Sequence, residues 1–430
     1  MRSSPFGRGT TVLSVFYLLF ATTSAAPAAD APPGMNLRQA VQEAIRANPA
    51  MAGQRFAIAE AEARRDQASL KPPLTIGGEL ENVLGTGRVG AVSNLEATLR
   101  LSTVIEMGDK RALRVGAADS AVFAANLQRD IHALDLLTNV TRRFIANLAE
   151  QEKVLIAEEH VVRAREVLSA VRARAQAGVG SPVEEGNALV HLQELEIALK
   201  ASQSELRRSW GLLAATWAAP PDGSGRADGN LFALADLSAF ATFAGKLERN
   251  PHIARYAAER AAAEARARLA RAGRTPDVTV SAGVRRLEAF NDQALVLGFS
   301  VPLGTGGRNA AAEREAEARA SFAGTSEAAA KVEILAVLHG LYEQAAHARV
   351  TFLALRDETK PLAERTLTRA QEGFRAGRFS LFEVSAAQEQ LHEVEENVVT
   401  AAETYHLAIA EIERLTNEPV ELTARQGDRP

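Results

Sequence analysis

The chain has 430 residues, no cysteine and a formal net charge of −4. The lack of thiols excludes disulfides, thiolate metal sites and a lipid-acylated cysteine, and so small a charge gives no reason to expect a nucleic-acid partner. An alanine-rich composition with only 5% aromatic residues suits long packed helices better than one large globular core.

The first 34 residues predict an export signal followed by a linker. Arg2 and Arg8 precede an apolar run over residues 12–20, and small residues follow at 24–26. This pattern is typical of a secretory signal peptide over residues 1–26, with a Pro- and Ala-rich linker over 27–34. The apolar run is too short for a transmembrane helix, and no later segment has the roughly 18 uninterrupted apolar residues that one needs.

Two helices and a pair of strands are predicted next. Asn36 caps the first helix, and Asn48-Pro49 separates it from the second. Alternation of apolar and polar residues then predicts strands over about 74–84 and 94–104, joined by a glycine-rich loop. In the second of these strands one side carries Leu95, Ala97, Leu99 and Leu101, and the other carries Glu96, Thr98 and Arg100.

A helical hairpin is predicted over about residues 109–215. Its outgoing helix has no proline over roughly 70 residues, on the order of 105 Å at about 1.5 Å per residue. Gly178 and Gly180 can adopt a left-handed turn, Ser181 can cap the returning helix, and Pro182 suits its first position.

The same plan then recurs in the second half of the chain. Residues 376–383 repeat the tip 199 residues after Ala177, and Asn250-Pro251 repeats Asn48-Pro49. Strands are predicted over about 277–287 and 293–302, and a second hairpin over about 308–416. We therefore divide the chain into a first repeat (35–220), a linker or equatorial segment (221–245), a second repeat (246–420) and a tail (421–430).

Each half thus supplies two strands of about ten residues, the length that a tilted strand needs to cross a membrane. Four strands are too few for a closed barrel, and open sheet edges cannot face lipid, so several chains would have to pool their strands. The alternative is a pair of half-buried hairpins lying on the helices.

The order of elements and both glycine-containing tips resemble the TolC-type outer-membrane efflux proteins over essentially the whole mature chain. Residues 102–111, STVIEMGDKR, resemble the strand-to-helix junction of the CzcC-like heavy-metal branch of that family. The resemblance implies a mainly α fold with membrane β-structure. Three chains would form a twelve-stranded β-barrel in outer-membrane lipid and an α-barrel across the periplasm.

The resemblance also implies roles for the tips. Glu383 matches the family position of acids that constrict the periplasmic mouth, and Glu184 is its counterpart in the first half, whereas Ala386 replaces the next family acid. The tips match the region that docks a periplasmic adaptor: Gly178, Val179, Gly180, Ser181, Gly377, Arg378, Phe379 and Ser380. The alternatives are that the acids are ordinary helix N-terminal carboxylates, and that Phe379 caps the hairpin locally.

No feature of the sequence predicts an enzyme, a cofactor or a metal site. The eight histidines include no pair spaced to share a helical metal site, and no nucleotide-binding or nucleophile motif is present. We expect a passive exit duct that an adaptor connects to an inner-membrane pump of the resistance-nodulation-division type, exporting divalent heavy-metal cations. The alternatives are a duct for drugs or secreted proteins, and an exported coiled-coil scaffold without a barrel.

Overall fold

The computed structural model describes residues 34–84, 86–87, 92–220, 225–304 and 306–417. The signal peptide, most of the linker and the tail predicted from the sequence lie outside these residues. The described chain forms nine α-helices and one four-stranded sheet. None of the helices described combines the length and the apolar character needed to cross a membrane.

The two N-terminal helices follow their capping residues. Helix α1 spans Leu37–Ala47 and begins with a capping box, in which the side chains of Asn36 and Gln39 each accept a hydrogen bond from the other residue's backbone N–H. Asn48 ends α1 and caps α2, Pro49–Ser69, with Pro49 at the first helical position, where its missing N–H costs no hydrogen bond.

The four strands form one antiparallel sheet in the order β1-β2-β3-β4. They are β1 (Thr75–Glu81), β2 (Glu96–Ile105), β3 (Val278–Leu287) and β4 (Asp292–Ser300). The central pair joins the two halves of the chain, with Glu96 opposite Leu287 and Ile105 opposite Val278. Within the described residues, the outer edges of β1 and β4 have no neighbouring strand.

The first hairpin consists of α3, Lys110–Gln176, and α4, Pro182–Ala214. Helix α3 has 67 residues without a break, which is about 100 Å at 1.5 Å per residue. It packs on α2, α4, α6 and α9, so it is the central element of the helical part.

The second half begins with the short helix α5, Phe240–Ala244, and with α6, Pro251–Ala272, which Asn250 caps. The second hairpin goes out through α7, Gly306–Ala354, and α8, Lys360–Arg375, and returns through α9, Leu381–Thr416. A π-helical turn, Leu355–Thr359, separates α7 from α8. It lies just before Pro361, whose ring removes a backbone donor and disturbs the preceding turn.

Apolar side chains form separate cores along the hairpins. One core lies where α1 and the inter-repeat segment meet the hairpins and contains Phe144, Leu213, Leu231 and Phe352. Another, which we call the tip core, joins α3, α4, α8 and α9 near the two turns and contains Val171, Leu192, Phe374 and Val384. The tips of the two hairpins are therefore held against each other.

Candidate functional site

The sheet has one apolar and one polar face. Apolar and polar residues alternate along its strands, and residues directly opposite on paired strands point to the same side. The apolar face is also exposed: Leu297 is 72% and Phe299 82% accessible. Its other large exposed members come from all four strands: Ile76, Leu80, Leu99, Leu101, Val284 and Leu295. An exposed apolar surface of this size marks a membrane or protein interface.

Ion pairs cross the opposite face between strands of different halves. Arg285 on β3 lies 2.7 Å from Glu96 of β2 and 3.0 Å from Glu81 of β1. It also donates a hydrogen bond to Thr98, which is 4% exposed. Within the first half, Arg100 of β2 pairs more loosely with Glu79 of β1, at 3.4 Å. The alternation predicted for residues 95–101 therefore separates an apolar surface from a polar one.

The junction between sheet and helices is fixed by polar contacts between the two halves. Asp277, before β3, accepts hydrogen bonds from the Met107 backbone N–H at 3.0 Å and from the Lys110 ammonium at 2.7 Å. Gly108 and Asp109 both have positive φ, 68° and 53°, so the chain turns sharply from β2 into α3. The segment that carries the family resemblance thus aligns the sheet with the hairpins.

The first tip is a left-handed helix end followed by a capping box. Gly178 has a φ of 77°, and the Val179 N–H returns to the Arg174 carbonyl at 3.1 Å, which is the hydrogen bond of a Schellman motif. A side chain at Gly180 would place its Cβ 2.7 Å from the Ala175 backbone nitrogen. Glycine is therefore required there by space.

The second tip has the same turn, but a different side chain packs inside it. Gly377 has a φ of 74°, and the backbone N–H of Arg378 donates a hydrogen bond to the Gly373 carbonyl at 2.8 Å. Phe379 folds back so that its ring occupies the space beside Gly373, where an added Cβ would lie 2.1 Å from the ring. Phe379 is accordingly 42% exposed, whereas Phe382 in the following turn is 80% exposed.

Both predicted gate acids take part in capping boxes. The Glu184 carboxylate accepts the Ser181 N–H at 3.3 Å, and the Glu383 carboxylate accepts the Ser380 N–H at 2.7 Å. The side chains of the two serines cap α4 and α9 in return. The carboxylates therefore lie at the starts of the two returning helices, at the same end of the molecule.

An arginine joins the two tips. Arg174, near the end of α3, lies over the Phe374 ring at 4.6 Å and donates a hydrogen bond to the Phe374 carbonyl at 2.5 Å. This contact places the eight tip residues proposed from the sequence on neighbouring turns.

Sequence reasoning overlooked the most exposed apolar side chains of this end. Val179 was identified, but Val183 is equally exposed at 68%, and Phe382 is more exposed than Phe379. The signal was available, since both Val183 and Phe382 directly follow the first residue of a returning helix, where a side chain has no preceding turn to cover it.

The structure also brings together three histidines that sequence spacing kept apart. His160, His191 and His392 come from α3, α4 and α9, and their rings lie next to one another. Within the described ranges, no three or more His, Cys, Asp or Glu side chains are placed to hold a metal ion.

The family model of the outer membrane efflux proteins matches this chain over residues 40–218 and 246–418. The chain belongs to that family, and it is accordingly an outer-membrane transport channel protein that extends into the periplasm, not an enzyme.

Particular relatives agree with this assignment. The chain is 29% identical over 299 residues to the cobalt-zinc-cadmium resistance protein CzcC of Cupriavidus metallidurans, covering 70% of this chain and 72% of the relative. It is 28% identical over 300 residues to the nickel and cobalt resistance protein CnrC of the same organism, covering 68% and 70%. Among solved structures, the outer-membrane channel OprN superposes with a TM-score of 0.76 at 17% identity, covering 89% of this chain and 90% of that one.

Proposed function

We propose that this chain is the exit duct of a tripartite efflux system that exports divalent heavy-metal cations. The observation that carries the duct is the open four-stranded sheet with one exposed apolar face, mounted on two long hairpins. The metal substrate rests on the relatives, because CzcC is a cobalt-zinc-cadmium resistance protein and CnrC a nickel and cobalt resistance protein. A passive conduit needs no binding site for the metal along its length.

The duct is a homotrimer in this proposal. The free edges of β1 and β4 would expose backbone donors and acceptors to lipid, which is too costly to occur. Pairing β4 of one copy with β1 of the next satisfies both edges. Three copies give twelve strands, with the apolar face toward lipid and the face of Glu96, Thr98 and Arg100 toward a watery lumen.

Glu184 and Glu383 form the periplasmic gate in this proposal. Three copies would bring six carboxylates to one end of the tube, where a ring of like charges attracts cations. Their place in the capping boxes supports a fixed position at the helix starts. Ala386 supplies no acid at the next family position of the second half.

The tips are the adaptor-docking surface. The docking residues proposed from the sequence are Gly178, Val179, Gly180, Ser181, Gly377, Arg378, Phe379 and Ser380. We add Val183 and Phe382 to this proposal because both side chains are strongly exposed beside the tips. Exposed apolar side chains at a helix turn, beside the exposed Arg378, suit packing against another helical hairpin. The pump is of the resistance-nodulation-division type in this proposal.

Metal export is tested with the gene deleted and restored beside its own pump and adaptor. We expect deletion to raise cellular zinc, cobalt, nickel or cadmium in metal-challenged cells, and restoration to reverse the rise. Unchanged metal content together with a loss of drug efflux or protein secretion would assign the duct to those substrates instead.

Docking is tested with Phe382→Asp, and Leu362→Asp serves as the control because Leu362 is 57% exposed on α8, away from the tip. We expect Phe382→Asp to abolish resistance and adaptor crosslinking while trimers still assemble. Full resistance in Phe382→Asp, or equal loss in both variants, would refute docking at this tip.

A further inference from the structure

Three histidines from three helices meet where the two hairpins pack together. The His160 ring of α3 is stacked on the His392 ring of α9, with ring centroids 4.4 Å apart and planes inclined by 19°. His191 of α4 approaches His160 edge-on at 6.3 Å. The histidine cluster, as we call these three residues, therefore spans the interface between the first hairpin and the second.

The packing leaves polar atoms of this interface without hydrogen bonds. His160 is 2% exposed, and neither of its ring nitrogens has a partner. Gln388, one turn before His392 on α9, is 1% exposed and both of its side-chain polar atoms also lack a partner. Buried groups in this condition weaken the packed state, since each could be hydrogen-bonded by water if the helices separated.

The charged groups around His160 do not favour its protonation. On its own helix the charge of Arg163 opposes protonation of His160. Arg163 itself pairs with Glu159 of α3 at 3.8 Å and with Glu395 of α9 at 2.8 Å. Lys360 of α8 lies 3.9 Å from the same carboxylate, so Glu395 is already shared by two cations. Glu396 faces His392 at 3.5 Å, and α4 contributes His191.

These surroundings keep His160 neutral at neutral pH. Burial, reinforced by the neighbouring His392, Arg163 and His191, lowers the pKa of His160 from 6.5 to about 4. A separated interface would return the imidazole to water and to its ordinary pKa. Because the separated form binds the proton more readily, the packed form loses stability as pH falls from about 6.5 toward 4.

The adjoining backbone provides a place for movement. The π-helical turn Leu355–Thr359 lies next to Lys360 and contacts α9. A π-turn is a common site of bending in a long helix. The segment beyond it, α8 with the start of α9, carries the second tip.

We propose that the histidine cluster is an acid-sensitive latch: protonation of His160 separates α9 from α3 and swings the second tip away from the first. A protonated His160 would be a buried cation with no hydrogen-bond acceptor at either ring nitrogen, so protonation favours the separated state. In a duct, this movement would widen the periplasmic end in acid, and that consequence rests on the proposed function. The movement of the helices itself does not depend on it.

The movement can be measured directly, because the chain has no cysteine and two introduced thiols would be unique. Val179→Cys and Arg378→Cys place one spin label on each tip. Full-length labelled chains are diluted with unlabelled chains so that each assembly carries one labelled copy. From the shift of the His160 pKa between 6.5 and about 4, we expect the separated population to rise on the order of 30-fold between pH 7.5 and pH 5.

His160→Phe keeps a stacked ring and removes the titrating nitrogens, and His160→Leu is a second variant should the larger ring disturb folding. His132→Phe is the matched control, since His132 is exposed on the same helix. We expect both His160 variants to hold the neutral-pH distance at pH 5, and the control to respond as the parent does. An unchanged parent distance at pH 5, or an equal response in the His160 variants, would overturn the latch. Neither result depends on export, so failure of the duct proposal would appear separately in the metal assay.

Discussion

The two hairpins have the same type of turn at the tip. They differ in the side chains packed inside that turn and in whether the outgoing helix is continuous. In the first, Gly180 lies against the backbone and Arg174 keeps a full side chain, whereas at the same positions of the second, Phe379 lies over Gly373. Helix α3 is continuous, but its counterpart is divided into α7, a π-turn and α8. The comparison indicates that duplication conserved the left-handed glycine and the capping serine, while the packing around them changed by compensating pairs of residues.

The strongest contact between the hairpins should be the ion pair of Arg163 and Glu395, whose carboxylate is only 5% exposed. We expect Arg163→Met to weaken the packing of α9 on α3 by about 3 kcal/mol, because it removes the closest partner of a buried carboxylate. Hydrogen exchange along α9 at neutral pH measures the change.

The control for this pair lies within one hairpin. Arg172 and Glu185 are 50% and 39% exposed, so Arg172→Met should cost less than about 1 kcal/mol. Adding Glu395→Gln to Arg163→Met should restore much of the lost protection. Equal effects of the two arginine variants would show that the hairpins do not depend on this pair.

The second tip has a large residue at 379 and glycine at 373, whereas the first tip has glycine at 180 and a large residue at 174. This compensation can be tested at Gly373. Gly373→Ala should destabilise the second tip by about 1–3 kcal/mol, since the new Cβ overlaps the Phe379 ring. Phe379→Ala in the same chain should relieve the overlap, so that the double variant is more stable than the sum of the single effects predicts.

Protection of the amides of residues 376–383 from exchange reports this effect. Gly186→Ala in α4 is the control, because its Cβ would meet no atom within 4 Å, and it should stabilise α4 by about 0.5–1 kcal/mol. Additive effects of Gly373→Ala and Phe379→Ala would contradict the compensation between these positions.

The smallest effect concerns the feature that the tips have in common. Ser181→Ala and Ser380→Ala each remove an N-cap, and each should cost about 1 kcal/mol at the start of its returning helix. Exchange rates in the first turns of α4 and α9 provide the measurement. A large loss in only one tip would mean that the two capping boxes are not equivalent.

The sequence predicted those features that depend on local spacing. Helix ends at Asn48 and Asn250, the two tips and the alternation in β2 all follow from residues close together in the chain. The π-turn before Pro361 was not predicted, although Pro361 is a local signal of a disturbed helix.

Contacts between residues far apart in the chain could not be predicted from local spacing. The position of Phe379 depends on the absence of a side chain at Gly373, and the meeting of His160 with His392 depends on which helices are neighbours. Pairing of β2 with β3 likewise cannot be read from alternation, which gives the faces of a strand but not its partner.

The pairing of β2 with β3 has a consequence for the order of folding. Arg285 meets Thr98 across 187 residues of chain, so the centre of the sheet has a high contact order, whereas each helical hairpin is closed by a turn of a few residues. Closing so long a loop is entropically costly until the hairpins have shortened it. We therefore expect the hairpins to form first, and β2 to keep an uncovered edge until the second repeat has been delivered.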